Sequence, residues 1–294
     1  MSFASEVKYE IVKNELGDIC CIRAELAGMV GAGAVITPGK LRFKTEKGVV
    51  AQRFFQLIKR LYNFEPESAM TDGGLFDVVV TGDNVLKILR DLKMATTPIR
   101  IQNEIIRNEC CNASIVKGAF LGGGSVSNPV KGYHAEITTP RFALSKDLSE
   151  ILNKYEIYPK QIVRNGNHVL YIKESEQIEN FLALIGAHNN MMEFLNVKIE
   201  KDMRNTTNRR SNCEAANLIK AAQAGAEQRN AIIKVKTMVG FDSLSPELLE
   251  LAVMRLNHSD FSLSEIAARL GVSKSCINHR MRKLLSIAKG LEEN

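Results

Sequence analysis

At 294 residues the chain exceeds the size over which one hydrophobic core usually grows, so two or three domains are expected. A hydrophobic share of 45% and a charged share of 24% are ordinary for a globular protein and exclude wholesale disorder. The net charge of +6 is small but uneven: Ser264 to Gly290 carries Arg269, Lys274, Arg280, Arg282, Lys283 and Lys289 against the single acid Glu265. From Lys198 to Lys236 nine Lys/Arg stand against four Asp/Glu, so the C-terminal third is the part suited to a phosphate backbone.

The opening residues MSFASEVKYE lack the basic start and apolar run of a signal peptide, and no later window offers ~18 uninterrupted apolar residues. A cytoplasmic, nucleoid-associated protein with no membrane contact is expected. Six cysteines fall as Cys20-Cys21, Cys110-Cys111, Cys213 and Cys276; with no CxxC spacing they read as buried reduced thiols. None of the five histidines has a ligand partner at metal spacing, and Gly122-Gly123-Gly124 lacks the Lys-Ser/Thr of a P-loop. No metal and no cofactor are expected.

Phe3, Val7 and Ile11, four apart, predict an amphipathic N-terminal helix over residues 1–18, broken by Gly17 and Asp18. Cys20 to Gly33 is an apolar run whose Gly28, Gly31 and Gly33 permit close helix contact. Leu41, Phe43 and Thr45 alternate with Arg42 and Lys44 as a strand, and Val49 to Tyr62 returns to helix. Phe76 to Thr81, after the turn signal Asp72-Gly73-Gly74, is a strand, and Asn84 to Lys93 a helix.

The same order restarts 90 residues later. Cys110-Cys111 and VKGAFLGGGS follow the course of Cys20-Cys21 and LAGMVGAGAV, with Gly28 on Gly118 and Gly33 on Gly123. Tyr133 to Thr138 then reads as strand, Ser145 to Tyr155 as helix, Gln161 to Arg164 and Val169 to Ile172 as a hairpin across Asn165-Gly166, and Glu174 to Ile185 as helix. The predicted class is α+β: a pseudo-symmetric duplication over 19–187, with halves of about 19–107 and 108–187, each helix, strand pair, helix, strand pair, helix. Residues 188–241 read as a helical linker built from Asn189 to Met203 and Cys213 to Lys236. Residues 242–290 read as an all-α helix-turn-helix domain, entered through Ser245 as N-cap and Pro246 at the first helical position.

In that last domain Pro246 to Leu256 is a supporting helix. Ser264 to Leu270 is a short helix with Ser264 as N-cap, Gly271-Val272-Ser273 the turn, and Lys274 to Leu285 the second helix. Ala267 is small where helices cross, Gly271 suits a positive φ, and Ile266, Leu270, Val272, Ile277 and Met281 fill the interior. This leaves Lys274, Ser275, Cys276, Asn278, His279, Arg282 and Lys283 outward, with Arg280 nearer the edge. Ser273 and the first-turn amides suit a phosphate, Ser275, Asn278 and His279 suit base edges, and Arg282 and Lys283 suit phosphate farther along the helix. Asn208, Arg209, Arg210, Ser211 and Asn212 crowd hydrogen-bonding groups that would cap a following helix, contact phosphate, or pin two domains together.

The run Leu26 to Ala34 resembles the motif helix of LAGLIDADG homing endonucleases, and Val116 to Gly124 resembles a weaker second copy. That resemblance implies two helices packed through small residues, each ending in an acid that binds the divalent metal. Here those acid positions are Gly33 and Gly123, and a glycine offers a hard cation only its carbonyl, so no catalytic residue is assigned and no cleavage is expected. With SLSEIAARLGVSKSCINHRMRKL behind the duplication, and the segments FLGGGSVSNP (Phe120 to Pro129), NRRSNCEAAN (Asn208 to Asn217) and SKSCINHRMRKL (from Ser273), the whole chain resembles the WhiA family. The resemblance implies a sequence-specific transcriptional regulator linked to sporulation, or to cell division and chromosome segregation, with double-stranded DNA as partner. The alternative is an adaptor, tethered to the chromosome, that binds a transcription or division protein through the duplicated domain. Arg42, Lys44, Lys131, Arg141, Lys160, Arg164 and Lys173 would line the sheet face that such endonucleases lay on DNA.

Overall fold

The computed structural model describes residues 2–71 and 73–291, so Asp72 of the expected turn lies outside the described residues. The chain divides into two compact units, Met1–Lys201 and Asp202–Asn294.

The first unit opens with α1, Phe3–Lys13, capped by the Ser2 hydroxyl, which accepts from the Ser5 amide. It ends at Asn14 rather than at Gly17, with Phe3, Val7 and Ile11 buried as the spacing requires. The first repeat follows: α2 (Ile19–Gly33), β1 (Ala34–Thr37), β2 (Lys40–Thr45), α3 (Gly48–Tyr62), β3 (Glu67–Met70), β4 (Phe76–Thr81) and α4 (Asp83–Asp91). The second repeats it: α5 (Glu109–Gly123), β5 (Gly124–Val126), β6 (Ala135–Thr139), α6 (Phe142–Asn153), β7 (Lys160–Arg164), β8 (Asn167–Ile172) and α7 (Ser175–Leu184). The sheets have the same antiparallel order, β1-β2-β4-β3 and β5-β6-β8-β7. The duplication inferred from the glycines is therefore a duplication of topology. Asn165 and Gly166 both adopt positive φ, 51° and 76°, as a two-residue hairpin turn that follows strand twist demands.

The centre of this unit is the α2–α5 contact, made backbone to backbone. A Cβ added at Gly28 would lie 2.2 Å from the Ile115 carbonyl oxygen, and one at Gly118 would lie 1.9 Å from that of Glu25. Gly28 meets the α5 segment around Gly118, and Gly33 meets Gly122, so the helices run side by side in the same direction. Beside this seam the buried Glu25 carboxylate receives the Arg53 guanidinium at 2.7 and 3.0 Å and the Lys117 ammonium at 2.8 Å. Arg53 also donates to the Asn14 carbonyl at the end of α1, so one buried acid links α1, α2, α3 and α5. Leu41 and Phe43 of β2 with Val78 and Val80 of β4 turn their sheet's apolar face to the helices, where Phe43 stacks on Phe54 at 4.4 Å.

One helix, α8, spans His188–Met238. The two helices expected from the sequence, Asn189 to Met203 and Cys213 to Lys236, are one in the structure, and its exposed middle stays helical through the poor helix formers Asn205, Thr206, Thr207 and Asn208. The second unit continues with a short 3-10 turn at Phe241–Ser243, then α9 (Pro246–Asn257), α10 (Leu263–Arg269) and α11 (Lys274–Gly290). Its core joins Ile232 from the late turns of α8 to Leu248, Leu251, Ile266, Ala267, Ile277, Met281 and Leu284. Among the described residues no helix is long and apolar enough to cross a membrane.

Gly118→Ala is expected to lower stability by about 3 kcal/mol or more, because a backbone must move to admit the methyl group, whereas Gly132→Ala, which meets nothing within 4 Å, should be close to neutral. Urea denaturation of the two variants checks this. Lys8, half-buried on α1 with its ammonium over the Phe120 ring, is held at a pKa of about 8, chiefly by burial, with Lys47 adding and Glu46 opposing. Between about 8 and the ordinary 10.5 the unfolded chain binds more protons than the fold, so stability rises with pH across that window. Lys8→Met should raise stability at pH 7 and flatten that rise, which melts recorded from pH 7 to 10.5 would read.

Candidate nucleic-acid interface

The helix-turn-helix is set by its caps. Ser262, not Ser264, caps α10: its hydroxyl accepts from the Glu265 amide at 3.2 Å while the Glu265 carboxylate accepts from the Ser262 amide at 2.7 Å. That reciprocal pair needs an acid three residues on, which Ser262 has and Ser264 lacks, since Ala267 stands there. The Ser262 amide and hydroxyl hold Glu265 below the usual carboxylate range. Gly271 takes φ 65° in the turn, and Ser273 caps α11 by accepting from the Cys276 amide at 3.2 Å.

Along α11, Ile277, Met281, Leu284 and Ala288 are buried at helical spacing, which turns the opposite ridge outward. Ser275, His279, Arg282 and Ser286 form that ridge and are all exposed; Asn278 and Lys283 flank it on either side, and Lys274 and Ser273 stand exposed at the N-terminal end. Ser286 extends the ridge by a turn; it lies beyond Leu285, where the sequence pattern ends the helix, and α11 continues to Gly290. Cys276 is half-buried. Arg280 departs from expectation: its side chain is only 15% exposed and pairs with Glu247 of α9 at 3.4 Å, so it ties α11 to its supporting helix.

The support is polar at one buried point. Arg255 of α9 donates to Gln228 at 2.9 and 2.6 Å and to the Phe261 carbonyl, and burial lowers its pKa. Gln228 lies in the late turns of α8, so this part of α8 is bonded into the unit that carries α11. Asn208, Arg209, Arg210 and Asn212 are exposed in the middle of α8. They precede no helix start, which removes the capping role expected of them, and Arg210 pairs along the helix with Glu214 at 2.9 Å.

In the first unit the candidate sheet-face cations divide into two sets. Arg42 is chelated by Asp77 at 2.8 and 3.0 Å, and this pairing holds the Asp77 carboxyl below its usual range. Arg164 pairs at 2.9 Å with Glu136, which also receives His134 at 3.1 Å; burial works to raise the Glu136 pKa, but those two partners outweigh it. Lys44, Lys131, Lys160 and Lys173 are exposed.

Arg141 is not on that face at all. Its guanidinium donates to the carbonyls of Gly31 at 2.6 Å and Ala34 at 2.9 Å, with Thr139 donating to Gly31 at 3.2 Å, so it satisfies the unpaired carbonyls at the end of α2. Burial lowers its pKa. An arginine therefore occupies the helix end where the resemblance would place a metal-binding acid. Nor can an acid be restored without moving backbone: a Cβ at Gly123 would lie 2.2 Å from the Thr138 carbonyl oxygen and one at Gly33 2.6 Å from that of Gly122. The buried Glu25 of α2 is already paired with Arg53 and Lys117.

The cysteines overturn the expectation of buried thiols. Cys111 is buried, but Cys20 and Cys21 are half-buried and Cys110 is exposed. Their four sulfurs lie within 4.8 Å of one another, a group able to hold a metal ion that chain spacing concealed because α2 and α5 bring the two pairs together across the repeat.

A family model for the WhiA LAGLIDADG-like domain matches residues 112–204, and one for the WhiA C-terminal HTH domain matches residues 207–288. The chain is 36% identical over 309 residues to the probable cell division protein WhiA of Bacillus subtilis (strain 168), covering 99% of this chain and 97% of that protein. It is 37% identical over 315 residues to the protein of the same name from Brevibacillus brevis, covering 100% of this chain and 98% of the relative. Among solved structures, full-length DUF199/WhiA from Thermatoga maritima matches in fold with a TM-score of 0.64 at 24% identity, over 98% of both chains.

Arg255→Met should destabilise the second unit by about 2 kcal/mol, since it strands the buried acceptor Gln228 Oε1 and the partly buried Phe261 carbonyl. Chemical denaturation followed by circular dichroism measures it, and a loss below about 0.5 kcal/mol would show that the buried network contributes little.

Proposed function

Because the chain belongs to the WhiA family, we propose that it is a sequence-specific DNA-binding regulator that reads its operator with α11 and does not cut DNA. The observation that carries this reading is the outward ridge of α11, in which polar side chains of base-reading length stand between flanking cations. Ser275, Asn278 and His279 contact base edges; Ser273, Lys274, Arg282 and Lys283 contact phosphate, with Cys276 beside them. Arg280 acts indirectly, by holding α11 against α9. Arg209 and Arg210 with Asn208 and Asn212 supply a further polar, basic surface on α8.

The relatives are named probable cell division proteins, which supports a role in cell division; chromosome segregation and sporulation are implied by the family resemblance alone. Such a regulator works on the nucleoid in the cytoplasm. A second reading, an adaptor that binds a transcription or division protein, draws support from the sheet faces of the first unit. There Arg42 and Arg164 are already neutralised by acids, and a mixed-charge surface suits protein better than phosphate.

With about six phosphates neutralised, log affinity should fall against log salt with a slope of roughly −5, and Lys283→Ala should lower that slope by about 1 while preserving sequence preference. His279→Ala or Asn278→Ala should instead cost about 1–3 kcal/mol at the operator and relax preference at one base position. Fluorescence anisotropy on operator and scrambled duplexes separates the two classes; equal losses on both duplexes for His279→Ala would remove it from base reading. Incubation of the protein with its best-bound duplex and Mg²⁺ or Mn²⁺ should leave the DNA intact, and a clean, chelator-sensitive cut would refute the loss of nuclease chemistry.

A further inference from the structure

At the opposite end of the α2–α5 pair from Gly33 and Gly123, Cys20 and Cys21 in the first turn of α2 face Cys110 and Cys111 in the first turn of α5. We propose that these four thiols form a tetrathiolate site for a zinc ion, which staples the two halves of the duplicated unit.

Three observations carry the assignment. The first is convergence: all four sulfurs lie within 4.8 Å of one another, and the adjacent Cys20 and Cys21 sulfurs are 4.0 Å apart, which shows that neighbours on one helix can aim at one point. A tetrahedral zinc with sulfur at ~2.3 Å sets its sulfurs about 3.8 Å apart, so closing the cluster needs shifts of about 1 Å, within reach of side-chain rotation. The second is symmetry. Cys20 and Cys110, like Cys21 and Cys111, stand 90 positions apart in sequence, the same offset as Gly28 and Gly118, so each half contributes an equivalent pair. A two-ligand contribution from each half completes a four-coordinate site with no open position, the pattern of a structural metal. The third is exposure. Thiols that serve only as small apolar groups are buried, whereas Cys110 is exposed and Cys20 and Cys21 are half-buried, leaving an entry path for the ion.

The chemistry fits the donors. Four thiols lose four protons and bind one Zn²⁺, giving a centre of net charge −2 at the positive N-terminal ends of two helices, where unpaired amides favour negative charge. Soft thiolates choose zinc over the hard cations used for phosphodiester cleavage. The site lies about 20 Å along α2 from Gly33, as thirteen residues of helix require, so it is separate from the end of the helix pair where cleavage chemistry would sit.

Full-length protein purified under reductant, stripped with chelator and titrated with Co²⁺ as the probe tests this. One ion per chain with sulfur-to-cobalt charge-transfer bands and intense tetrahedral d–d bands, displaced by Zn²⁺, is expected. Cys110→Ser should weaken binding by at least about tenfold, whereas Cys213→Ser and Cys276→Ser should leave it unchanged. Alkylation of the wild-type chain, mapped by mass spectrometry, needs no variant: Zn²⁺ should protect Cys20, Cys21, Cys110 and Cys111 and leave Cys213 reactive. The proposal is overturned by absence of thiolate–cobalt bands, by bands that survive loss of both Cys20 and Cys110, by unprotected alkylation, or by a disulfide between the pairs as the state recovered under reductant.

Discussion

Everything in the larger unit hangs on two helices that touch through their backbones. With Gly118 against the Glu25 carbonyl and Gly28 against that of Ile115, α2 and α5 approach more closely than any side chain would permit. The rest follows from that separation. The sheets attached to each helix are brought into corresponding positions, the buried Glu25 reaches both Arg53 and Lys117, and the first-turn cysteines of the two halves meet. At the far end of the pair the glycines are hemmed in by carbonyls and an arginine lies over the end of α2, so an acid could be placed there only by moving backbone.

The division of labour between the units has a physical basis. The duplicated α+β unit, with its arginines Arg42 and Arg164 paired to acids on the sheets, has a mixed-charge surface. The small helical unit is net basic and presents one helix, α11, that carries no acid and whose outer ridge is polar. Its own rigidity comes from devices that fix α11 without using the ridge: the capping box of α10, the Ser273 cap, the Arg280–Glu247 pair and the Arg255 network reaching Gln228. Fixing α11 in this way leaves its exposed groups available to a ligand.

Much of this was legible in the residues. The glycine runs at a fixed offset revealed the duplication, since only glycine tolerates such approach, and the turn Gly271-Val272-Ser273 with apolar spacing on either side placed α10 to within a residue and the start of α11 at Lys274, whereas α11 runs on to Gly290, five residues past the expected Leu285. What the sequence hid was hidden for identifiable reasons. The stretch between Met203 and Cys213 reads as a gap between two helices, and the helix is continuous there. Two serines competed for one cap, and the acid three residues beyond Ser262 decided it. Arg280 and Arg141 look like surface cations in any linear reading; only their partners show one as a brace and the other as a helix-end cap. The thiol cluster joins residues in two repeats, a contact that no spacing rule along the chain can express.

Recognition by α11 is the central claim, and site-specific photocrosslinking tests it most directly. A photoreactive residue at Ser275 of the full-length protein, bound to its best-bound duplex, should crosslink to a base in the major groove at a single operator position, while the same probe at Lys44 on β2 should give no base crosslink. Base crosslinks from Lys44 with none from Ser275 would contradict the account and move recognition to the duplicated unit.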